Sequence, residues 1–277
     1  MNFQSIKKIK YWIQASRIET LPLSISGIIV GSFYAFYNYS FDKIIFVLSI
    51  ITAISFQILS NFANDYGDGV LGTDNNRIGP KRVIASGKLT LEELKNGIIV
   101  NVFISITLSY SLIKYSFKND YLFIIIFLFL SIFSILAAIK YTMGKSPYGY
   151  YGFGDIFVFI FFGPIAVCGT FFLQLGYLSV ESIISGIIMG CLSVTLLCIN
   201  NIRDVETDRN VGKRTIAVRF GVMFVKILFI SLFLISYLLL AYLSFNLSYL
   251  NTNVFFLLLI ITVPLCIKLN FDVFKLK

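Results

Sequence analysis

Apolar residues dominate eight stretches of the chain, near 20–39, 43–63, 92–114, 120–139, 155–174, 180–202, 220–244 and 250–268. About 20 such residues make a helix long enough to cross the hydrocarbon core of a bilayer. In lipid, a helix pairs every backbone amide within its own segment, which irregular chain cannot do. The pattern predicts an all-α polytopic membrane protein, a bundle of eight transmembrane helices in one domain over residues 1–277. The connections are of two kinds. Four are very short (40–42, 115–119, 175–179, 245–249) and three are longer and polar (64–91, 140–154, 203–219), so polar chemistry gathers on one side.

Charge identifies that side. Lys7, Lys8, Lys10, Arg17, Arg77, Lys81, Arg82, Lys88, Lys140, Lys145, Arg203, Arg209, Lys213, Arg214, Arg219, Lys268, Lys275 and Lys277 fall with the N-terminus and the long loops, against Lys43, Lys114 and Lys118 opposite. The positive-inside rule then puts both termini and the long loops in the cytoplasm, with the chain multi-pass in the cell's inner membrane. The net charge of +9 is thereby a topology signal, and no nucleic-acid partner is needed to explain it. The basic segment Met1 to Lys10 is not followed by a short apolar run and a cleavage site, so the first span is expected to stay.

Composition narrows the chemistry. The chain is 57% hydrophobic and 13% charged, with 29 Phe, 16 Tyr and one Trp, enough rings to pack helices and also to line a pocket. It has no histidine, which removes imidazole bases and His-ligated zinc or haem. Cys168, Cys191, Cys198 and Cys266 stand singly in apolar runs and read as buried small hydrophobes. Any metal is left with oxygen ligands. Gly27-x3-Gly31 and Gly186-x3-Gly190 let helices approach closely, within the bundle or in a dimer.

A weak internal repeat carries more information. Asn64-Asp-Tyr-Gly-Asp68 closes the second span and Asn200-Asn-Ile-Arg-Asp204 the sixth, and each is followed by a glycine with a basic pair, Gly79-Pro-Lys81-Arg82 and Gly212-Lys213-Arg214. The bundle is therefore expected as two pseudo-repeated four-helix halves. Six of fourteen acidic residues lie in these loops: Asp65, Asp68, Asp74, Asp204, Glu206 and Asp208. Asn200, Asp204 and Asp208 are four apart, nearly one face of a continuing helix, and Asn64 and Asp68 repeat the first step. Two such faces make an oxygen-rich cleft suited to magnesium, which takes one or two carboxylates and completes its shell with water and phosphate oxygens. Arg77, Lys81, Arg82, Arg203, Lys213 and Arg214 supply donors for a diphosphate. Charged loops ordinarily pair their acids and bases among themselves; two matched copies at one membrane face favour a shared ligand. A polyprenyl diphosphate joins such a head to a tail that needs an aromatic, lipid-accessible chamber.

These residues resemble the UbiA-type intramembrane prenyltransferases, in particular the branch acting on 1,4-dihydroxy-2-naphthoate in menaquinone synthesis. The resemblance runs from Arg17-Ile-Glu-Thr-Leu-Pro22 through Asn64–Asp74 and Arg77-Ile-Gly-Pro-Lys-Arg82 to Asn200–Asp208 and Gly212–Gly221, with Tyr141–Tyr150 and Gly152-Phe-Gly-Asp155 between. It implies that Asn64, Asp65, Asp68, Asp74, Asn200, Asp204 and Asp208 hold Mg2+ and the diphosphate. It also implies that the loop 141–155, with Tyr141, Lys145, Tyr148, Tyr150 and Asp155, closes over the acceptor; the same residues also read as interfacial anchors and a turn around Pro147, Gly149, Gly152 and Gly154. Lys145 departs from the branch's usual pattern. The family has nine helices where eight are drawn, so a last helix is missing or two are merged.

The reaction expected from the resemblance ionises polyprenyl diphosphate with metal assistance, with Asp68, Asp204 and Asp208 at the leaving group. The naphthoate ring then attacks, and carbon dioxide is lost to give a demethylmenaquinone; Asp155 or Tyr148 is available to the acceptor hydroxyl. One rival is a prenyltransferase of this fold with another acceptor, such as 4-hydroxybenzoate. Another is a cation transporter with a carboxylate path, though the acids sit in loops and not at mid-membrane. Phosphatidyl transfer lacks its Asp-Gly-x2-Ala-Arg pattern here.

Overall fold

The computed structural model describes residues 3–38, 40–72 and 82–246, with scattered positions between 260 and 275. The regular structure among those residues is all helical, with no strand: α1 (Phe3–Ser16), α2 (Leu21–Tyr37), α3 (Lys43–Leu71), α4 (Leu91–Phe117), α5 (Tyr121–Lys140), α6 (Gly154–Ile160), α7 (Ala166–Leu175), α8 (Val180–Arg203), α9 (Val205–Asn210), α10 (Ile216–Phe220) and α11 (Val222–Asn246). Seven segments among the described residues are long and apolar enough to cross a bilayer, the first running from Lys7 in α1 through α2 and the fifth joining α6 and α7. The expected span near 250–268 lies largely outside the described residues.

Local chemistry sets the helix ends. Asp42 caps α3 by accepting from the amides of Ile44 (2.7 Å) and Ile45 (3.2 Å). Thr90 with Glu93 and Ser179 with Ser182 form capping boxes at α4 and α8, each satisfying two amides the helix leaves unpaired. Asp120 caps α5, and Gly72, at φ +68, terminates α3.

Three differences from the sequence pattern matter for the site. First, α3 stays helical to Leu71, eight residues past the expected end of its span, so Asn64 to Asp68 ride on a helix. Second, α8 stops at Arg203 and α9 restarts after Asp204, whose φ of −96° and ψ of 6° break the expected continuous face. Third, α1 is an additional helix across the end of α3 and α4. Its Trp12 ring sits 5.4 Å from Phe62, close enough that a Cβ on Gly97 would lie 2.5 Å from it.

The two close-approach glycine pairs are used inside the bundle. Gly27 and Gly31 face α7, where a Cβ on Gly31 would stand 2.4 Å from the Val167 carbonyl oxygen. Gly186 and Gly190 of α8 face the π-helical turn Phe161–Ile165 between α6 and α7, which contains Pro164. Mid-bundle, Asn101 of α4 accepts from Ser55 (3.4 Å) and Ser105 (3.2 Å), an interhelical polar contact worth about 0.6 kcal/mol in a membrane protein. One buried cluster gathers Leu59, Phe62, Leu94 and Ile98 around α3 and α4; another gathers Cys198, Ile202, Val225 and Phe229 around α8 and α11.

Candidate active site

The two acid motifs meet. Lys213 reaches Asp68 Oδ1 with its ammonium at 3.0 Å and Asp208 Oδ1 at 3.9 Å. One cation touching both holds the carboxylates no farther apart than those contacts laid end to end. Tyr150 joins from the third polar loop: its hydroxyl donates to Asp68 Oδ1 at 2.6 Å and its ring lies 4.6 Å from the Lys213 ammonium. The Arg214 amide donates to the Tyr150 carbonyl at 2.7 Å, so backbone as well as side chains tie 141–155 to the second motif.

Gly67 makes this approach possible. A Cβ there would stand 2.4 Å from the Thr142 carbonyl oxygen, and only a residue without one lets α3 lie against the loop. Thr142 in turn donates to the Ala63 carbonyl (2.9 Å) and contacts Asn64 Oδ1 at 3.2 Å. Asp204 accepts both arms of Arg203, Nε and Nη2, at 2.7 Å each.

Asp65 is placed differently from its neighbours. It is 1% exposed, paired with Arg17, and 3.6 Å from Arg82 Nε. Arg17 is 9% exposed and held in the left-handed region at φ 49° and ψ 64°, a conformation disfavoured for any residue with a Cβ. The sequence reading assigned Arg17 no contact; the available signal was a lone cation placed just before the first span.

Below these residues opens a chamber of about 740 Å³. Asn64, Asn200, Arg17 and Tyr141 line its mouth, and Ser49, Leu112, Phe127 and Leu173 its far end. Fifteen residues of α3 separate Ser49 from Asn64, about 22 Å at 1.5 Å per residue. Rings form a ladder down one wall: Tyr141 to Tyr148 at 5.4 Å, Tyr148 to Phe157 at 4.0 Å, Phe157 to Phe161 at 6.0 Å. Among the described residues no acidic side chain lines it, so they offer no carboxylate path of the kind a cation transporter needs.

Removal from water pushes the phenols of Tyr141 and Tyr148 well above their ordinary value, and for Tyr141 the charges of Asp155, Asp68 and Asp208 add to this. Both are therefore neutral donors at physiological pH. The Tyr148 proton is directed to the Ala137 carbonyl at 2.9 Å, which leaves it poorly placed as a base. Asp155 is buried, with Asn201 donating to it at 3.4 Å. Lys145 and the Arg214 side chain are exposed. Asp74, Arg77 and Lys81 lie outside the described residues.

Among the described residues, no three Asp, Glu or Cys side chains converge to hold a metal ion by themselves. The donor set still fits a hard cation that brings its own phosphate ligands. Asp68 and Asp208 already share a positive charge, that of Lys213, and two carboxylates satisfy magnesium when a substrate supplies the remaining oxygens.

Comparison with known proteins agrees with this architecture. Residues 24–277 match the UbiA prenyltransferase family. The chain is 41% identical over 224 residues to the 1,4-dihydroxy-2-naphthoate octaprenyltransferase of Escherichia coli (strain K12), covering 80% of this chain and 72% of that protein. The protein of that name from Haemophilus influenzae is 42% identical, with 78% and 70% covered, and that from Mycobacterium tuberculosis is 32% identical, with 76% and 70% covered. A solved structure of a digeranylgeranylglyceryl phosphate synthase superposes with a TM-score of 0.53 at 20% identity, over 84% of this chain and 76% of that one; it speaks for the fold.

Proposed function

The chain belongs to the UbiA prenyltransferase family, and we propose that it transfers a polyprenyl group from its diphosphate to 1,4-dihydroxy-2-naphthoate in menaquinone biosynthesis. The bond between the allylic carbon and the diphosphate oxygen breaks, and the naphthoate ring forms a carbon–carbon bond to that carbon. The ring carboxylate leaves as carbon dioxide, returning its bonding pair to the ring. The product is the hydroquinone form of a demethylmenaquinone, with free diphosphate and no oxidant consumed. The acceptor assignment is supported by the relatives that carry that activity in their names.

The donor assignment is carried by one observation: a single ammonium, that of Lys213, joins Asp68 and Asp208 beside the mouth of an aromatic chamber. In this reading Asp68, Asp204 and Asp208, with the side-chain oxygens of Asn64 and Asn200, would hold Mg2+. When bound, the ion neutralises negative charge developing on the leaving diphosphate. Lys213 and Arg203 supply further positive charge to it, as do Arg77 and Lys81 from outside the described residues. Arg17, fixed by Asp65, faces the acceptor's carboxylate. The ring faces of Tyr148 and Phe157 steady the allylic cation and exclude the water that would quench it. Asp155 is the group available to the acceptor hydroxyl. The density of Lys and Arg around these loops orients the site toward the cytoplasm.

The test crosses 1,4-dihydroxy-2-naphthoate, 4-hydroxybenzoate and other aromatic acceptors with one labelled polyprenyl diphosphate, using purified protein in lipid nanodiscs with magnesium. Product is expected from the naphthoate alone, and Asp68→Ala and Asp204→Ala are expected to abolish it while leaving the helical signal intact. Full turnover in both variants would remove the acid cleft from the mechanism; a preference for 4-hydroxybenzoate would reassign the acceptor.

A further inference from the structure

A second cavity opens at the end of the bundle away from the acid motifs, walled by the loop from Ser40 to Asp42, the last turn of α4, the α4–α5 turn and the end of α7. The charge pattern leaves Lys43, Lys114 and Lys118 on this side, and two of them, Lys114 and Lys118, line the cavity. Among the described residues neither has an acid within ion-pair distance. The Lys114 ammonium donates to the Lys118 carbonyl at 2.7 Å, which occupies one of its three protons and holds it beside residue 118. Asp42 lines the same space, but its carboxylate is engaged. Its Oδ1 accepts from the amides of Ile44 and Ile45, and its Oδ2 from the Tyr115 hydroxyl at 3.1 Å. Two lysines and one aspartate leave this lining at +1, the charge that one phosphodiester cancels.

The backbone at Lys118 adds an independent observation. The Asp120 amide donates to the Phe117 carbonyl at 2.8 Å, so residues 117–120 form a tight turn with Lys118 first of its two central residues. Its φ of 50° and ψ of −91° are the geometry of a type II′ turn, where glycine is at ease and a residue with a Cβ is strained. A turn that only joins α4 to α5 is best served by glycine. Here the strained position carries an ammonium, at a membrane face where cations are few.

We propose that this cavity binds the headgroup phosphate of an anionic phospholipid from the leaflet away from the acid motifs. Basic pockets between transmembrane helices take such headgroups; here Lys114 and Lys118 face the phosphate and Asn119 offers an amide. The lipid's chain has a path beside it. The Lys114 ammonium lies 5.8 Å from the Tyr121 ring, and Tyr121, Ile125 and Phe129 follow at four-residue steps as exposed side chains down one face of α5. A zwitterionic lipid brings its own cation, which the lysines disfavour, and free phosphate brings no chain for that face. The inference is independent of the donor and acceptor readings above.

The experiment places the full chain in phosphatidylcholine nanodiscs with graded phosphatidylglycerol, counts retained lipids by native mass spectrometry and follows melting. Each lysine near a membrane surface strengthens anionic-lipid binding about fivefold, so the Lys114→Gln/Lys118→Gln protein is expected to bind at this site about thirtyfold more weakly. It retains one phosphatidylglycerol fewer than the natural protein, while Lys43→Gln, outside the cavity, retains the natural number. Lys118→Gly separates the two roles of that residue: it melts above the natural protein in phosphatidylcholine alone, because the strain is gone, and gains less from phosphatidylglycerol. Equal lipid counts and equal phosphatidylglycerol-dependent melting in the natural and doubly substituted proteins overturn the proposal. So does an equal loss in Lys43→Gln, which makes the effect one of diffuse surface charge. Inorganic phosphate that reproduces the stabilisation in phosphatidylcholine discs overturns the lipid assignment in favour of a free anion.

Discussion

Replacing Lys213 by methionine keeps most of the side chain's length and removes only the charge that joins the two halves. The pair is largely buried: the Lys213 side chain is 15% exposed and that of Asp68 8%. Removing one member of a buried ion pair costs roughly 3–5 kcal/mol, because the other charge is stranded. Here the loss is smaller, since Tyr150 still donates to Asp68 at 2.6 Å, a bond to a charged group worth about 1.5–3 kcal/mol. The expected destabilisation without metal is about 2 kcal/mol, which for a chain of this size lowers Tm by roughly 4–8 °C. Adding magnesium reverses part of it. A ligand that binds only the folded state stabilises by about 2.7 kcal/mol at one hundred times its Kd, and in the variant the Lys213 ammonium no longer competes for the same carboxylates. Thermal melts in detergent, with chelator and then with magnesium, test this, and Lys145→Met, an exposed charge, serves as the control. The gap between natural protein and Lys213→Met is expected to be wide in chelator and narrow in magnesium. Equal melting in chelator, or an equal magnesium shift in both proteins, would falsify the idea that Lys213 occupies the place of a metal.

Gly67→Ala sets a Cβ 2.4 Å from the Thr142 carbonyl oxygen; overpacking of this kind costs about 1–3 kcal/mol, and prenyl transfer is expected to fall further than stability because the shift pulls Tyr150 from Asp68. A variant with full activity and an unchanged melt refutes that account of the contact. Alkaline pH bears on Tyr141 and Tyr148, whose phenols are held above 10.0 in the fold. Above pH 10 the unfolded chain has released protons that the folded chain keeps, so stability is whole below that pH and is lost as pH rises through the folded-state values. Melts on either side of pH 10 are expected to show the fall, with a shallower one in Tyr148→Phe; superimposable curves for the two proteins count against burial as its cause.

The spans are legible because runs of apolar residues have one stable form in lipid, and the acid motifs because six carboxylates in two matched loops are conspicuous in so apolar a chain. What the sequence leaves undivided is which acid does what. Asp65 and Asp68 sit three apart in one motif, yet Asp65 is buried against Arg17, 48 residues away, while Asp68 meets Lys213, 145 residues away. Such pairings depend on how helices pack and leave no local trace. The same holds for Lys213 and Arg214: they read as an equivalent basic pair, and the fold sends the ammonium of one between two carboxylates while the other contributes its backbone amide. The helix α1 escapes the apolar pattern because Lys7, Lys8 and Lys10 interrupt it, and its packing rests on few side chains, Trp12 chief among them.

Charge balance at the chamber's mouth gives these pairings a chemical consequence. Asp65, Asp68, Asp204 and Asp208 stand beside Arg17, Arg82, Arg203 and Lys213, each of those cations within 4 Å of an acid. Among the described residues, these four acids and four cations cancel before any ligand arrives. A diphosphate entering it adds several negative charges in a partly dehydrated place, which is costly unless cations come with it. In the proposed reaction, a divalent metal held by Asp68 and Asp208 would offset the donor's charge, and Lys213, released from those carboxylates, would be free to reach the phosphate oxygens where charge accumulates. Cations already paired with acids would hold diphosphate less firmly without metal than unpaired lysine and arginine would.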